Sequence, residues 1–359
     1  MKNVVKTDDY RVFPILQEDL LEDGWEYPEG YDPEKDGRFK KGKYAGNKWG
    51  GKYLRAPDIF FTILEKGKGK LVRLGDIAEV RFGIKTGANE FFYLQVLGNG
   101  GKNGSVRVKN DAGWEGELEE EFLKTVIKNP RESKNILLNL NNLKYKVIMC
   151  HKDTRELEKT KILDYIAWGE KQQYHKRPTC AGRQKWWDLG NRRPADCFWM
   201  ESINNINRVY QNPSNTLLES DKFYGIIFKN RDLSKKYSLL LNSTLHCLFR
   251  ELKGFTGMGE GVLKLPVYDV KNILILTPDK SSLVDSKKVL DREINSLFEE
   301  CGIDPNKPIR EQNPNPLPDR AELDNMIFDE LGLTEEERRE VYWSVCELVK
   351  NRLDKARSI

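Results

Sequence analysis

The sequence predicts a mixed α+β fold, a twisted and mostly antiparallel sheet with helices packed against it, ending in a helical pair. Three observations carry that expectation. Short runs with apolar residues at alternate positions, such as "LVRLGDIAEVRFG" and "YGIIFK", have the period of half-buried strands. Longer runs such as "KKYSLLLNSTLHCLFREL" have the composition and length of helices. In the last forty residues Thr334 and Glu337 form a capping box ahead of Val341, Val345, Leu348 or Val349, and Leu353 at helical spacing.

Taken in order, "YRVFPIL" reads as a short strand. Residues 24–57 follow, rich in Gly, Lys, Tyr and Trp and poor in aliphatics, so they cannot build much core. This segment is either a surface excursion or a basic, aromatic-studded arm lying along a polyanion. Asp58 is placed to cap a short helix that Gly67 and Gly69 end. "LVRLGDIAEVRFG" then reads as strand, tight turn and strand, and "EFFYLQVLGN" as a strand after the Gly83–Gly87 loop, with one of Phe91 and Phe92 in the core. "ELEEEFLKTVIKN" reads as an amphipathic helix, "KYKVIMC" as a strand and "TRELEKTKILDYIAWGEKQQYHKR" as helical. "DCFWM", "NRVYQN" and "YGIIFK" are strands, and a helix ends at Gly254. "GVLKLPVYDVKNILIL" supplies further strands and "SSLVDSKKVLDREINSLFEEC" a further helix. These elements suggest an N-terminal arm and connecting segment (1–69), a recognition unit (70–300), a Pro/Asn-rich linker (301–318) and a C-terminal helical segment (319–359).

Composition excludes several classes. With 60 basic and 56 acidic residues the net charge is only +4, so distribution matters more than balance. No run approaches the roughly 18 apolar residues of a membrane span. The N-terminus has no signal-peptide core either, and the expectation is a cytoplasmic chain without membrane contact. The six cysteines include no Cys-x-x-Cys pair, so reduced thiols and no metal are expected, with Cys150-His151 read as packing. "GFTGMGEG" (254–261) carries Phe-x-Gly-x-Gly, a glycine pattern of S-adenosylmethionine sites. It follows a helix and precedes a strand, the reverse of the order such a turn needs. No Asp/Asn/Ser-Pro-Pro-aromatic, Walker, Gly-x-Ser-x-Gly or His-Glu-x-x-His motif is present. The three histidines form no recognisable constellation.

The richest stretch is "KQQYHKRPTCAGRQKWWDLGNRR" (171–193), with seven basic residues to the single acidic Asp188, beside Tyr174, Trp186 and Trp187. Basic side chains interleaved with aromatics suit a polyanion whose bases offer stacking faces. The alternative is a solvated loop whose tryptophans anchor it to the core.

In chain order, "LVRLGDIAEVRFGIKTGANEFFYL", "GRQKWWDLGNRRP", "LLNSTLHCLFRELKGFTGMGEGVLKL" and "LDNMIFDELGLTEEERREVYWSVCELVKNRL" resemble the C-terminal part of Taq-type adenine-specific DNA methyltransferases. The resemblance spans roughly residues 50 to 356. It implies a target-recognition (specificity) domain of a methylation or restriction–modification system, with no catalytic machinery of its own. Double-stranded DNA and a catalytic methyltransferase domain or subunit are the implied partners, and S-adenosylmethionine belongs to that other domain. The same resemblance implies a DNA-facing loop bearing Arg81, Lys85, Thr86 and Asn89, with Gly83 and Gly87 allowing its turn. A second contact group consists of Arg183, Lys185, Trp186, Arg192 and Arg193, a bidentate arginine being worth about 1–3 kcal/mol of base discrimination. Arg183 and Lys185 are expected to be surface groups. A subunit that docks a methyltransferase and touches DNA little is the other reading.

Overall fold

A computed structural model describes residues 5–7, 11–12, 14–28, 31, 33–44, 53, 55–99, 104–256, 260–277 and 287–358. Two sheets organise them. Their strands are β1 (Ala78–Phe82), β2 (Tyr93–Asn99), β3 (Ser105–Asn110), β4 (Glu115–Glu119) and β5 (Leu123–Ile127), followed by β6 (Tyr145–Ile148), β7 (Cys197–Met200), β8 (Val209–Gln211), β9 (Leu218–Glu219) and β10 (Phe223–Phe228). The six-stranded sheet runs β9-β5-β6-β2-β3-β4 and the four-stranded sheet β8-β7-β10-β1. All pairings in both are antiparallel except β5 with β9.

Side-chain period explains which strands sit where. In β3, Val106, Val108 and Asn110 face inward while the residues between them do not, as expected of a strand with one wet face. Every residue of β7 and β10 is buried, which suits the centre of a sheet covered on both sides.

The helices are α1 (Asp58–Lys66), α2 (Asn89–Phe92), α3 (Lys161–Lys171), α4 (Ser234–Leu240), α5 (Thr244–Lys253), α6 (Pro318–Glu330) and α7 (Glu335–Arg357). The capping box at α7 is present: Thr334 Oγ1 accepts from the Glu337 amide at 3.3 Å, and Glu337 Oε2 accepts from the Thr334 amide at 2.7 Å. No helix among the described residues is long and apolar enough to cross a membrane.

The mixed α+β architecture is the one expected, but several elements differ. "ELEEEFLKTVIKN" is not a helix; it is β4, a 3-10 turn and β5. Leu118 pairs opposite Val106 and Glu117 opposite Arg107, so cross-strand pairing overrides the helical propensity of its glutamates. Phe91 and Phe92 lie on a helical turn before the strand, and both are fully buried. The long helical run after residue 230 is two helices. Asn242 breaks it, its side chain bonding the Val209 amide and carbonyl at 2.9 Å, and Ser243 caps α5. Of "SSLVDSKKVLDREINSLFEEC", residues 281–286 lie outside the described residues, and the described part holds two short helices, because a capping box at Ser296 starts the second. The helix in "TRELEKTKILDYIAWGEKQQYHKR" starts only after Thr160 caps it, and Asp58 lies in the first turn of α1 behind the capping position, Pro57. "VLKLPVYDVKNILIL" keeps strands at Leu263–Lys264 and Leu274–Leu276 but folds into a helical turn between them. The C-terminal helices pair less with each other than with the core: α7 lies along α5 and α1 and meets α6 through Phe328 and Tyr342, 5.8 Å apart.

Two apolar cores result. One joins α1, β7, β10, α5 and α7 around Trp199 and Phe223. The other surrounds Phe91, Phe92 and Trp186 between the six-stranded sheet and α3.

Candidate nucleic-acid interface

The loop between β1 and α2 crosses from the four-stranded sheet to the six-stranded one. Residues 219–223 make the opposite crossing beside it, from β9 to β10. The two strands of chain are stitched together: the Gly83 amide donates to the Phe223 carbonyl at 2.9 Å and the Ile84 amide to the Glu219 carbonyl at 3.0 Å. A side chain at Gly83 has no room, since a Cβ there would lie 1.8 Å from the Ser220 oxygen. Gly87 has φ +77°, a left-handed value that glycine adopts without strain.

The loop residues divide by exposure. Thr86 is buried. Its hydroxyl accepts from the Ala88 amide at 3.2 Å and donates to Asn89 Oδ1 at 2.5 Å, holding the turn that starts α2. Asn89 is exposed, and so is Lys85, whose Nζ lies 4.0 Å from the centre of the Phe82 ring.

Arg183 joins this loop to the 171–193 segment. Its guanidinium donates to the Lys85 and Thr86 carbonyls at 2.8 Å each and to the Trp186 carbonyl at 3.2 Å. The expectation of a dispensable surface arginine is therefore corrected: Arg183 is a strut. Lys185 is likewise engaged, 3.0 Å from an Asp153 oxygen and bonded to the His151 carbonyl. The hydrogen bond to Asp153 raises its pKa, helped by the nearby Asp188 and Glu156 carboxylates. Trp186 is buried, not offered as a stacking face. It lies 4.7 Å from Phe91, and its Nε1 donates to Glu170 at 3.2 Å.

The third group gathers under the loop. Glu219 is wholly buried, with Arg81 Nε at 3.7 Å and Arg192 at 3.8 Å from its carboxylate. Burial pushes the Glu219 carboxyl up against the pull of both guanidiniums, and burial lowers Arg192. Arg192 donates to the Phe82 carbonyl and Arg81 to the Arg193 carbonyl, so each basic side chain also braces β1 or its neighbour. Arg193 is exposed and faces Glu79 at 3.7 Å.

The structure thus brings all nine expected residues to one region across a sequence separation of about one hundred residues. Lys85, Asn89 and Arg193 reach solvent fully; Arg81, Arg183, Lys185 and Arg192 are half-buried; Thr86 and Trp186 are inside. Sequence reasoning missed Glu219, the carboxylate between two of the arginines. Its one signal was a lone acid directly after the apolar pair Leu217–Leu218.

Of the glycine stretch at 254–261, residues 257–259 lie outside the described residues. The stretch leaves α5 and enters the strand Leu263–Lys264. The space beside Gly254 is filled by Leu263, 2.5 Å from where a Cβ would stand. His246 is fully buried, and burial beside Arg250 lowers its pKa to about 3, so it is a neutral core residue.

No curated protein matches the chain. Among solved structures, the type IIG restriction endonuclease BpuSI resembles it with a TM-score of 0.46 at 11% identity, over 84% of this chain and 33% of that one. The chain therefore spans about a third of the length of that enzyme. A family model described as the C-terminal domain of type II methyltransferase M.Eco57I matches residues 126–304, which include the 171–193 segment, β7 to β10 and α5. Over those residues the chain is similar to the C-terminal domain of a restriction–modification methyltransferase.

Proposed function

We propose that this chain is a DNA target-recognition module of an adenine methylation or restriction–modification system, and that it positions a catalytic methyltransferase domain on its site. Methyl transfer and S-adenosylmethionine binding belong to that other domain in this reading. The observation that carries it is the Arg183 strut, which fuses the 83–89 loop and the 171–193 segment into one basic surface. The match of residues 126–304 to a methyltransferase C-terminal domain supports the same reading. Lys85, Asn89 and Arg193 are the exposed side chains that reach phosphates or base edges in this reading. Arg81, Thr86, Arg183, Lys185, Trp186 and Arg192 hold the loops in shape.

The test is a salt titration of DNA affinity. Replacing Lys85 by Ala should reduce the slope of log affinity against log salt by about one, as loss of one phosphate contact does. Unchanged affinity and slope would remove this loop from the interface. The second reading, a docking subunit with little DNA contact, draws on the internal partners of Arg183, Lys185 and Arg192, which leave less charge for a polyanion. It predicts binding to a methyltransferase partner that scarcely responds to salt.

A further inference from the structure

A groove of about 1320 Å³ runs along β1, the edge strand of the four-stranded sheet, with Ile227 and Phe228 of β10 also in its lining, and its far wall is the segment around Tyr27, Tyr31 and Arg38. Its charge is one-sided: eight of its lining residues are Lys or Arg, and three, Glu22, Asp76 and Glu79, are acidic. Some of that charge is already balanced. Arg73 lies 3.4 Å from Asp76 and Arg193 3.7 Å from Glu79, while the Lys229 ammonium donates to the Asp76 carbonyl at 2.7 Å. Arg38, Arg231 and Lys271 have no such carboxylate among the described residues, and Arg38 and Arg231 are exposed.

The far wall is held in place by aromatic packing and a tyrosine hydrogen bond. Tyr27 stacks on Tyr31 at 5.6 Å and lies 5.5 Å from Tyr268 on the opposite side. The Tyr31 hydroxyl donates to the Gly37 carbonyl at 2.6 Å, which fixes the turn that carries Arg38. At its other end the groove reaches Arg81, Phe82 and Arg193, the residues that lead into the Lys85 loop.

We infer that this groove is a second nucleic-acid contact, which takes the sugar–phosphate backbone of DNA flanking the bases met by the Lys85 loop. The inference rests on the reading of the chain as a DNA-binding module and extends its footprint beyond the 171–193 cluster, which meets the groove at Arg193. A wide, open groove with unbalanced cations and no deep pocket favours a continuous polyanion over a small ligand. Because only phosphates are met, binding here is indifferent to base sequence.

The experiment uses the full chain, a random-sequence duplex of about 40 base pairs and a salt series. The variant is Arg38→Ala/Arg231→Ala/Lys271→Ala, with circular dichroism and melting to show that it folds. The expected result is a salt slope smaller by about three and affinity lower by about tenfold or more. The triple Arg38→Lys/Arg231→Lys/Lys271→Arg variant, which keeps the charge, should bind as the parent does. A parent-like slope and affinity in the alanine variant overturn the groove while leaving the Lys85-loop reading intact. A parent chain that binds no duplex at low salt overturns both.

Discussion

Arg183 and Lys85 carry the same charge in the same loop system and do opposite work. Arg183 directs its guanidinium at three main-chain carbonyls, and hydrogen bonds to charged groups contribute about 1.5–3 kcal/mol each when partly shielded. Arg183→Ala should therefore lower the urea-unfolding free energy by about 2 kcal/mol. It should also weaken DNA binding indirectly, through a loosened loop. The Lys85 ammonium lies over the Phe82 ring at the surface, an exposed cation–π contact of about 0.5–1 kcal/mol at most. Its removal should leave the melting temperature nearly unchanged while altering the salt slope. A Lys85→Ala chain that melts early, or an Arg183→Ala chain as stable as the parent, would reverse these roles. The basic character of both segments was legible in the sequence, because charge density is a local property. Arg183 as a strut was not, because its acceptors lie 97 and 98 residues away. Trp186 was misplaced for the same reason: its burial depends on Phe91, and on Gly169 of α3, where any Cβ would stand 2.8 Å from the indole.

At the level of elements, the boundaries with side-chain caps were the readable ones. Thr334 and Glu337 announce α7 within four residues, and Thr334→Ala should cost about 1 kcal/mol in thermal or urea unfolding. The strands β4 and β5 were not readable, since their glutamates favour a helix until β3 supplies a pairing edge to β4 and β6 one to β5. What ties the C-terminal helices to the core is equally non-local. Arg292 holds Glu300 at 2.7 Å and Asp319 at 2.5 Å, Arg320 holds Glu300 at 3.0 Å, and Asp324 accepts from the Thr244 hydroxyl at 2.6 Å. Burial is the largest influence and works to raise the Glu300 and Asp319 carboxyls, but the Arg292 hydrogen bonds, the Arg292 and Arg320 charges and backbone amides together outweigh it, and both end below their usual range. A depressed carboxyl adds stability that is complete above its unfolded pKa of about 4 and is lost as pH falls through the folded value. Stability should therefore drop on acidification from about pH 4 downward, and Glu300→Gln should flatten that limb. The same substitution should cost about 3 kcal/mol at neutral pH, since it leaves Arg320 buried with half its partner. An acid limb identical in the variant would locate the titrating groups elsewhere.

For the molecule as a whole, the decisive arrangement is the double crossing between the sheets. The chain leaves the four-stranded sheet through Gly83–Ala88 and returns to it through Glu219–Phe223, and the two crossings are hydrogen-bonded to each other directly above the buried Glu219. The base of the candidate interface is therefore part of the seam that joins both cores, and only its tip is loop in the dynamic sense. Native-state hydrogen exchange separates these parts, because amides in the cooperative core exchange only on global opening whereas loop amides exchange by local fluctuation. The Gly83 and Ile84 amides, bonded to Phe223 and Glu219, should be protected to the same level as the amides of β10. The exposed Lys85, one residue further on, should exchange orders of magnitude faster. Arg183→Ala should release the tip and leave the base protected, since the strut holds the Lys85 and Thr86 carbonyls and not the Gly83 or Ile84 amides. Fast exchange at Ile84 in the parent chain would mean that the seam opens independently of the sheets. A rigid base under Lys85, which would let the loop meet DNA without first being ordered, would then have to be abandoned.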